Sequence, residues 1–131
     1  MYMYKYVHVH MYVHVALFCE LSAAVHATDY CISETFSPRC GHNEVIVIQT
    51  ADYGRMAIGR CVATDFGYVG CSVSVLHILD ARCSGRRRCD VRVIDPELEA
   101  AANGGCEKEF KSYLIADYVC QTGKRQMHHC F

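Results

Sequence analysis

Ten cysteines are the residues whose number and spacing carry the clearest chemistry in this chain of 131 residues. This density in a short chain is typical of a disulfide scaffold formed in an oxidising compartment. Zinc is the alternative, but zinc sites usually contain closely spaced cysteine pairs such as C-x2-C, repeated or joined by histidines. The nearest pair, Cys83 and Cys89, has five residues between its members, and the sequence has no second pair like it. The spacing therefore favours disulfides, and we expect no metal and no cofactor.

A second candidate is the tripeptide Tyr53-Gly54-Arg55, which follows the apolar run Val45–Ile48. A sugar-binding site needs an aromatic face for the C–H side of the sugar and charged groups that take its hydroxyls. The tripeptide supplies both kinds of side chain. It is equally typical of a turn at the end of a strand, in which Gly54 would supply a positive φ.

Residue patterns for catalysis are missing from the sequence. It contains no nucleophile motif such as G-x-S-x-G and no phosphate-binding loop, so we expect no enzyme activity. The acidic group of Asp95, Glu97 and Glu99 is typical of a solvated helix start. Arg86–Arg88 would suit sulfated or sialylated glycans if a disulfide closed their loop, although solvent exposure without a ligand is the alternative.

Composition and the N-terminus indicate where such a protein would act. The net charge of −1 does not point to nucleic acid or to an anionic membrane. Residues 11–18 form a short apolar stretch, and small residues up to Ala27 offer a cleavage point. We therefore predict a secretory signal peptide over residues 1–27. The stretch is too short and too polar to span a bilayer, so we expect a soluble extracellular protein.

The elements that must position these residues follow from periodicity. Glu44–Thr50 predicts a buried strand, and Cys89–Val93 alternates as a half-buried strand does. Ser112–Cys120 alternates with two largely apolar faces, which predicts a central strand. Residues recurring at spacings of three and four favour one amphipathic helix from Cys71 to Cys83. Asp95-Pro96-Glu97 predicts a second helix start, with proline at the first helical position. The sum is a small β-rich domain with one or two short helices.

The cysteine series and two motifs together resemble the galactose- or rhamnose-binding lectin domain of sea urchin eggs (the SUEL type), which also occurs in fish egg lectins and latrophilins. The tripeptide Tyr53-Gly54-Arg55 stands shortly before the third family cysteine, and Tyr113-Leu114 and Tyr118–Cys120 fit the family's last strand. The eight cysteines that match in number and order are Cys31, Cys40, Cys61, Cys71, Cys83, Cys89, Cys106 and Cys120.

The resemblance implies a mainly β fold, a compact antiparallel β-sandwich with one short α-helix and long loops. It also implies one disulfide pairing among the 105 that eight cysteines allow. The pairs are Cys31–Cys61, Cys40–Cys120, Cys71–Cys106 and Cys83–Cys89. The lectin domain would cover residues 28–121, followed by a polar tail over residues 122–131. Cys130 lies outside the pattern and is either free or joined to another chain, which would give a dimer.

The resemblance further implies which residues contact a sugar. Tyr53 matches the family's tyrosine contact. Lys111 has the spacing of the family's pocket lysine from the seventh cysteine, whereas counting back from Tyr113-Leu114 places that lysine at Ser112. Ile32 stands where the family has a glutamate directly after the first cysteine, and Glu34 is the nearest acid. Asp95 is the nearest candidate for a polar residue after the sixth cysteine. The sequence of the pocket loop, Gly104–Lys111, also differs from the family's D-P-C-x-G-T-x-K-Y-L motif.

Three functional hypotheses follow. The first is a secreted, non-catalytic lectin that binds galactosyl or rhamnosyl units of glycans. The second is a domain that keeps the fold, has lost sugar binding and contacts a protein receptor at the cell surface, which Ile32 and the altered loop favour. The third is a disulfide-rich secreted effector such as an inhibitor or toxin, which cysteine content alone allows.

Overall fold

The computed structural model describes residues 27–107 and 110–122. Most of the predicted signal peptide and of the polar tail, including Cys130, lies outside the described residues. Within the described part of the chain, no helix is both long enough and apolar enough to cross a membrane. The strands are β1 (Thr28–Tyr30), β2 (Thr35–Phe36), β3 (Glu44–Arg55), β4 (Cys71–Ser74), β5 (Val91–Arg92) and β6 (Tyr113–Thr122), and the helices are α1 (Leu76–Cys83) and α2 (Pro96–Ala102).

Two antiparallel sheets confirm the mainly β prediction. The larger sheet has the order β1-β6-β3-β4, and β2 pairs with β5 in the smaller one. The longest ladder joins β3 to β6, from Glu44 opposite Thr122 to Gly54 opposite Tyr113. Phe36 of β2 links the two sheets through edge-on contacts with Tyr30 and Tyr118 of the larger sheet. As predicted, β6 is a central strand, since it pairs with β1 on one side and β3 on the other.

The core lies between the larger sheet and the elements that cover it. Its largest fully buried side chains come from β2, β3, α1, α2 and β6, and include Phe36, Ile46, Leu79, Leu98 and Leu114. A domain of this size buries a small core, so covalent cross-links matter for its stability. Each disulfide typically adds about 2–4 kcal/mol.

The four disulfides have the pairing that the resemblance implied: Cys31–Cys61, Cys40–Cys120, Cys71–Cys106 and Cys83–Cys89. They close loops of very different length, from a separation of 80 residues for Cys40–Cys120 to 6 for Cys83–Cys89. The Cys71–Cys106 bridge joins β4 to the loop after α2.

Both predicted helices form, so the single helix that the family resemblance implied is one too few. Helix α2 begins as predicted, since the Asp95 side chain accepts hydrogen bonds from the backbone N–H groups of Glu97 and Leu98 and Pro96 occupies the first turn. The prediction of one helix from Cys71 to Cys83 is wrong in its first third. Residues Cys71–Ser74 form β4, whose half-buried and exposed residues alternate, and the helix starts only at Leu76.

The tripeptide Tyr53-Gly54-Arg55 is part of a strand rather than a turn. Strand β3 continues through Arg55; its last four residues pair with β4, and all of these except Arg55 also pair with β6. The turn interpretation is therefore wrong, because β4 supplies hydrogen-bonding partners where the sequence pattern indicated a loop.

Candidate binding site

Tyr53 lies beneath the surface of the site. Only 1% of the residue is exposed, and its hydroxyl donates a hydrogen bond of 3.1 Å to the backbone carbonyl of Val93. Burial, with the charges of Glu99 and Asp95 nearby, raises the pKa of Tyr53 to about 12. The phenol therefore stays neutral at physiological pH and acts mainly as a packed side chain.

Gly54 has no side chain, and neighbouring atoms occupy the space that a side chain would need. A Cβ at this position would lie 2.4 Å from the backbone oxygen of Cys71 and 3.1 Å from the sulfur of Cys106. Such distances are well inside van der Waals contact, and backbone atoms cannot move aside easily. Glycine is therefore required for β4 and the Cys71–Cys106 disulfide to pack against β3 this closely.

Arg55 connects β3 to the segment before β6. Its guanidinium donates a hydrogen bond of 2.9 Å to the backbone oxygen of Lys111 and lies 5.1 Å from the ring centroid of Phe110. The residue is only 6% exposed, and its Nε finds no hydrogen-bond partner in the described part of the chain. Arg55 therefore positions the Phe110–Lys111 segment instead of facing solvent.

Tyr53 lines a cavity of about 360 Å³, which we call the α2 pocket; Gly54 and Arg55 are not among its lining residues. Its volume is in the range of pockets that hold small ligands. Apolar and aromatic side chains form part of its wall, while carboxylates, an amide, an amine and a hydroxyl provide polar groups. The lining residues are Ile32, Tyr53, Ile94, Glu99, Ala102, Asn103, Cys106, Glu107, Phe110, Lys111 and Ser112.

The structure brings together two of the four residues that the sequence singled out as sugar contacts, Tyr53 and Lys111. Asp95 is not among the lining residues. Its carboxylate caps α2 and binds the Arg82 guanidinium at 2.8 and 3.1 Å. The Arg82 hydrogen bonds and the N–H groups of Leu98 and Glu97 hold the pKa of Asp95 below its usual range. Asp95 therefore has a structural role at the helix start.

Glu34 also lies outside the α2 pocket. It accepts a hydrogen bond of 2.7 Å from the backbone N–H of Cys31 and one of 2.7 Å from Arg60, and both lower the pKa of its carboxyl group. Glu34 and the sulfurs of Cys31 and Cys61 lie close enough to surround a cation. However, those sulfurs are joined in a disulfide, so they cannot act as thiolate ligands.

Three polar lining residues were missed by sequence reasoning: Glu99, Asn103 and Glu107. Glu99 and Asn103 are four residues apart on and just after α2, so helical spacing could have placed them on one face. The sequence alone indicates only a solvated helix terminus for the acidic group that contains Glu99. Glu107 directly follows Cys106, but no pattern in the sequence indicated that the disulfide would hold it at a cavity.

The arginine loop, residues 84–88, lies apart from the α2 pocket. Backbone bonds fix it, from Cys40 N–H to the Arg87 oxygen and from Ile46 N–H to the Arg86 oxygen. The side chains of Arg86, Arg87 and Arg88 are exposed, and none lines the α2 pocket. The loop is thus a cationic surface, held by backbone hydrogen bonds, that lies outside the α2 pocket.

A comparison against known families agrees with the resemblance that the cysteine series and motifs suggested. The model of the D-galactoside/L-rhamnose binding SUEL lectin domain matches residues 38–120, more than half of the chain. The chain belongs to the SUEL lectin family. No curated protein matches it. Membership of this family indicates carbohydrate binding as the general function.

Proposed function

We propose that the chain is a secreted, non-catalytic lectin that binds galactosyl or rhamnosyl units of glycans in the α2 pocket. The observation that carries this proposal is the set of polar groups at the pocket mouth. Glu99, Asn103, Glu107 and Lys111 are exposed, and their side chains make no hydrogen bond or ion pair with any residue that the structure describes. Acceptors and donors that are not already committed within the protein are available to a ligand.

The chemistry of this rim matches that of a neutral sugar. Carboxylates accept hydrogen bonds from vicinal hydroxyls, and the lysine amine and asparagine amide donate to ring or hydroxyl oxygens. Ile32, Ile94 and the ring of Phe110 offer apolar surface for the C–H face of a pyranose. Tyr53 contributes to the floor, and Lys111 is the predicted contact that we retain at the rim. Asp95 and Glu34 are left out of the proposed site because both are bonded within the protein.

A single pocket of this kind would bind weakly, since a sugar exchanges hydrogen bonds to water for hydrogen bonds to protein. Avidity would then require several linked copies. Cys130, which lies outside the described residues, is the candidate for a covalent dimer.

Secretion is part of the proposal. Four disulfides are typical of proteins made in an oxidising compartment. Strand β1 starts at Thr28, directly after the predicted cleavage point. N-terminal sequencing of protein recovered from the medium of expressing cells is expected to begin at Thr28. An N-terminus at Met1 on the secreted protein would contradict cleavage.

The test of sugar binding is a calorimetric titration of the oxidised protein with methyl galactoside and methyl rhamnoside. We expect saturable binding of at least one sugar, weakened about 10-fold by Glu99→Gln or Glu107→Gln because each removes a charged acceptor. Glu34→Gln is the matched control, since it neutralises a carboxylate outside the pocket. Equal loss in the control, or no binding by the unaltered protein, would contradict the proposal.

A second function is favoured by one specific observation. Ile32 occupies the pocket wall at the position of the family's glutamate, and Ile94, also in the wall, is 49% exposed. An apolar wall of this kind would suit a protein partner better than a sugar. In that case the domain would capture a cell-surface receptor, and free galactose or rhamnose would not compete for it.

A further inference from the structure

A second cavity of about 490 Å³ lies beside the α2 pocket, and we call it the glycine cavity. Gly67, Gly104 and Gly105 form part of its lining, and a Cβ added at any of them would meet no atom within 4 Å. The two cavities share three lining residues, Asn103, Cys106 and Glu107. They are therefore neighbouring compartments on one surface.

An aromatic ridge separates the two compartments. Phe110 lines the α2 pocket and Tyr68 lines the glycine cavity. Their rings stack with centroids 4.8 Å apart and planes inclined by 29°, and Phe66 stacks on the same Phe110 at 5.8 Å. Arg55 fixes this arrangement from below, through its contacts with Phe110 and the Lys111 backbone.

The ridge is open to solvent despite its apolar character. Tyr68 is 46% exposed and Phe66 64% exposed, although most aromatic side chains of a small domain are largely buried. Clustered exposed aromatic rings beside a cavity are typical of a ligand-binding surface.

We propose that the glycine cavity binds the second sugar of a glycan whose terminal residue occupies the α2 pocket. This inference rests on the proposed function of the α2 pocket. The C–H face of the second pyranose packs on Tyr68, and Glu107 and Asn103, which face both compartments, bridge hydroxyls of the two residues. The terminal sugar already holds the second one near the cavity, so the second contact set adds affinity without a second loss of translational freedom.

The second sugar is neutral. Among the described residues that line the glycine cavity, Glu107 is the only charged side chain, and it is an anion. A sulfate or a sialic acid carboxylate there would face this carboxylate, with no compensating cation among the described lining residues. The site therefore selects neutral galactosyl disaccharides over their anionic counterparts.

The experiment compares calorimetric affinities of the full secreted protein for methyl α-galactoside, methyl β-galactoside, Galα1-6Glc and Galβ1-4Glc. We expect at least one disaccharide to bind about 10-fold more tightly than the monosaccharide of the same anomeric configuration. Tyr68→Ala should abolish this advantage while leaving monosaccharide affinity unchanged. Phe66→Ala is the matched control, because it removes a ring from the same stack that lines neither cavity.

The outcomes separate the two proposals. Absence of monosaccharide binding overturns the proposed function. Monosaccharide binding with no disaccharide advantage, or an advantage that survives Tyr68→Ala, overturns only the second compartment. Tighter binding of a 6-sulfated disaccharide than of its neutral parent would contradict the proposal that the second sugar is neutral. Tyr68→Leu separates loss of packing from loss of the aromatic face. Leucine keeps apolar volume in the stack, and this variant should still lose the disaccharide advantage.

Discussion

The floor and the rim of the α2 pocket use their polar groups in opposite ways. We use floor for the segment Tyr53–Arg55, of which only Tyr53 lines the pocket; the Tyr53 hydroxyl and the Arg55 guanidinium are buried and donate hydrogen bonds to the protein's own backbone. The rim, formed by Glu99, Asn103, Glu107 and Lys111, is exposed, and its side chains make no hydrogen bond or ion pair among the residues the structure describes. The buried tripeptide thus has a structural role beside the pocket, and in the proposed function the ligand contacts belong to the exposed rim.

This difference separates two kinds of defect. Changes in the floor should lower the free energy of unfolding and affect ligands only through the altered fold. Changes in the rim should alter ligand affinity and leave stability nearly unchanged. The four predictions below test this division, from the largest effect on stability to the smallest.

Gly54→Ala should have the largest effect. The new methyl group would meet the Cys71 backbone at 2.4 Å, so β4 must shift, and we expect a loss of about 3 kcal/mol in the free energy of unfolding. Thermal unfolding followed by circular dichroism measures it. Gly59→Ala is the control, because its added Cβ meets no atom within 4 Å. Equal melting temperatures for the two variants would show that β4 is not held as described.

Tyr53→Phe should come next, at about 1–2 kcal/mol, because the buried carbonyl of Val93 loses its donor. The folded pKa of about 12 exceeds the usual value of 10, so burial of the neutral phenol stabilises the fold below pH 10. That contribution is lost as the pH rises towards 12. In a spectrophotometric titration of tyrosinate, the phase near pH 12 should vanish in Tyr53→Phe. Its persistence would contradict a buried Tyr53, and Tyr68→Phe, which alters an exposed ring, should retain it.

Asp95→Ala should cost about 1 kcal/mol of stability through loss of the α2 cap and of the Arg82 ion pair. Because the folded pKa of Asp95 lies below its ordinary value, this contribution is present above about pH 4 and is lost as the pH falls through the folded pKa. Denaturant unfolding should therefore show a larger difference from the unaltered protein at pH 7 than at pH 2.5. If the folded Asp95→Ala protein lost more free energy of sugar binding than free energy of unfolding, Asp95 would belong to the binding site.

The rim variants should have the smallest effect on stability. Glu99→Gln and Glu107→Gln alter exposed carboxylates without partners among the described residues, so the free energy of unfolding should change by less than about 0.5 kcal/mol. The same proteins should show the 10-fold affinity loss predicted above. A destabilisation as large as that of Tyr53→Phe would remove the distinction between floor and rim.

Much of the fold could be predicted because local signals agreed with tertiary packing. The apolar run of β3, the alternation of β6 and the Asp95-Pro96 cap each specify one structure. The first part of the predicted 71–83 helix failed because Cys71 and Val75 fit helical spacing, while the pairing of β4 with β3 is a long-range effect.

The site was less predictable for a related reason. Tyr53 and Lys111 were found through motif spacing, but Asp95 and Glu34 were chosen by nearness in sequence, and both form hydrogen bonds elsewhere in the fold. Glu107 reaches the pocket only because the Cys71–Cys106 disulfide folds its loop back onto β3 and β4. A residue position that depends on a disulfide between distant parts of the chain cannot be inferred from the neighbouring sequence.

The most direct test of the central claim is a titration of ¹⁵N-labelled, oxidised protein with galactose and rhamnose, followed by amide chemical shifts. We expect saturable shifts confined to the rim and its neighbours, from Glu99 to Asn103 and from Cys106 to Ser112, with little change in the arginine loop. Saturable shifts centred on Arg86–Arg88, or no shifts with either sugar, would contradict it.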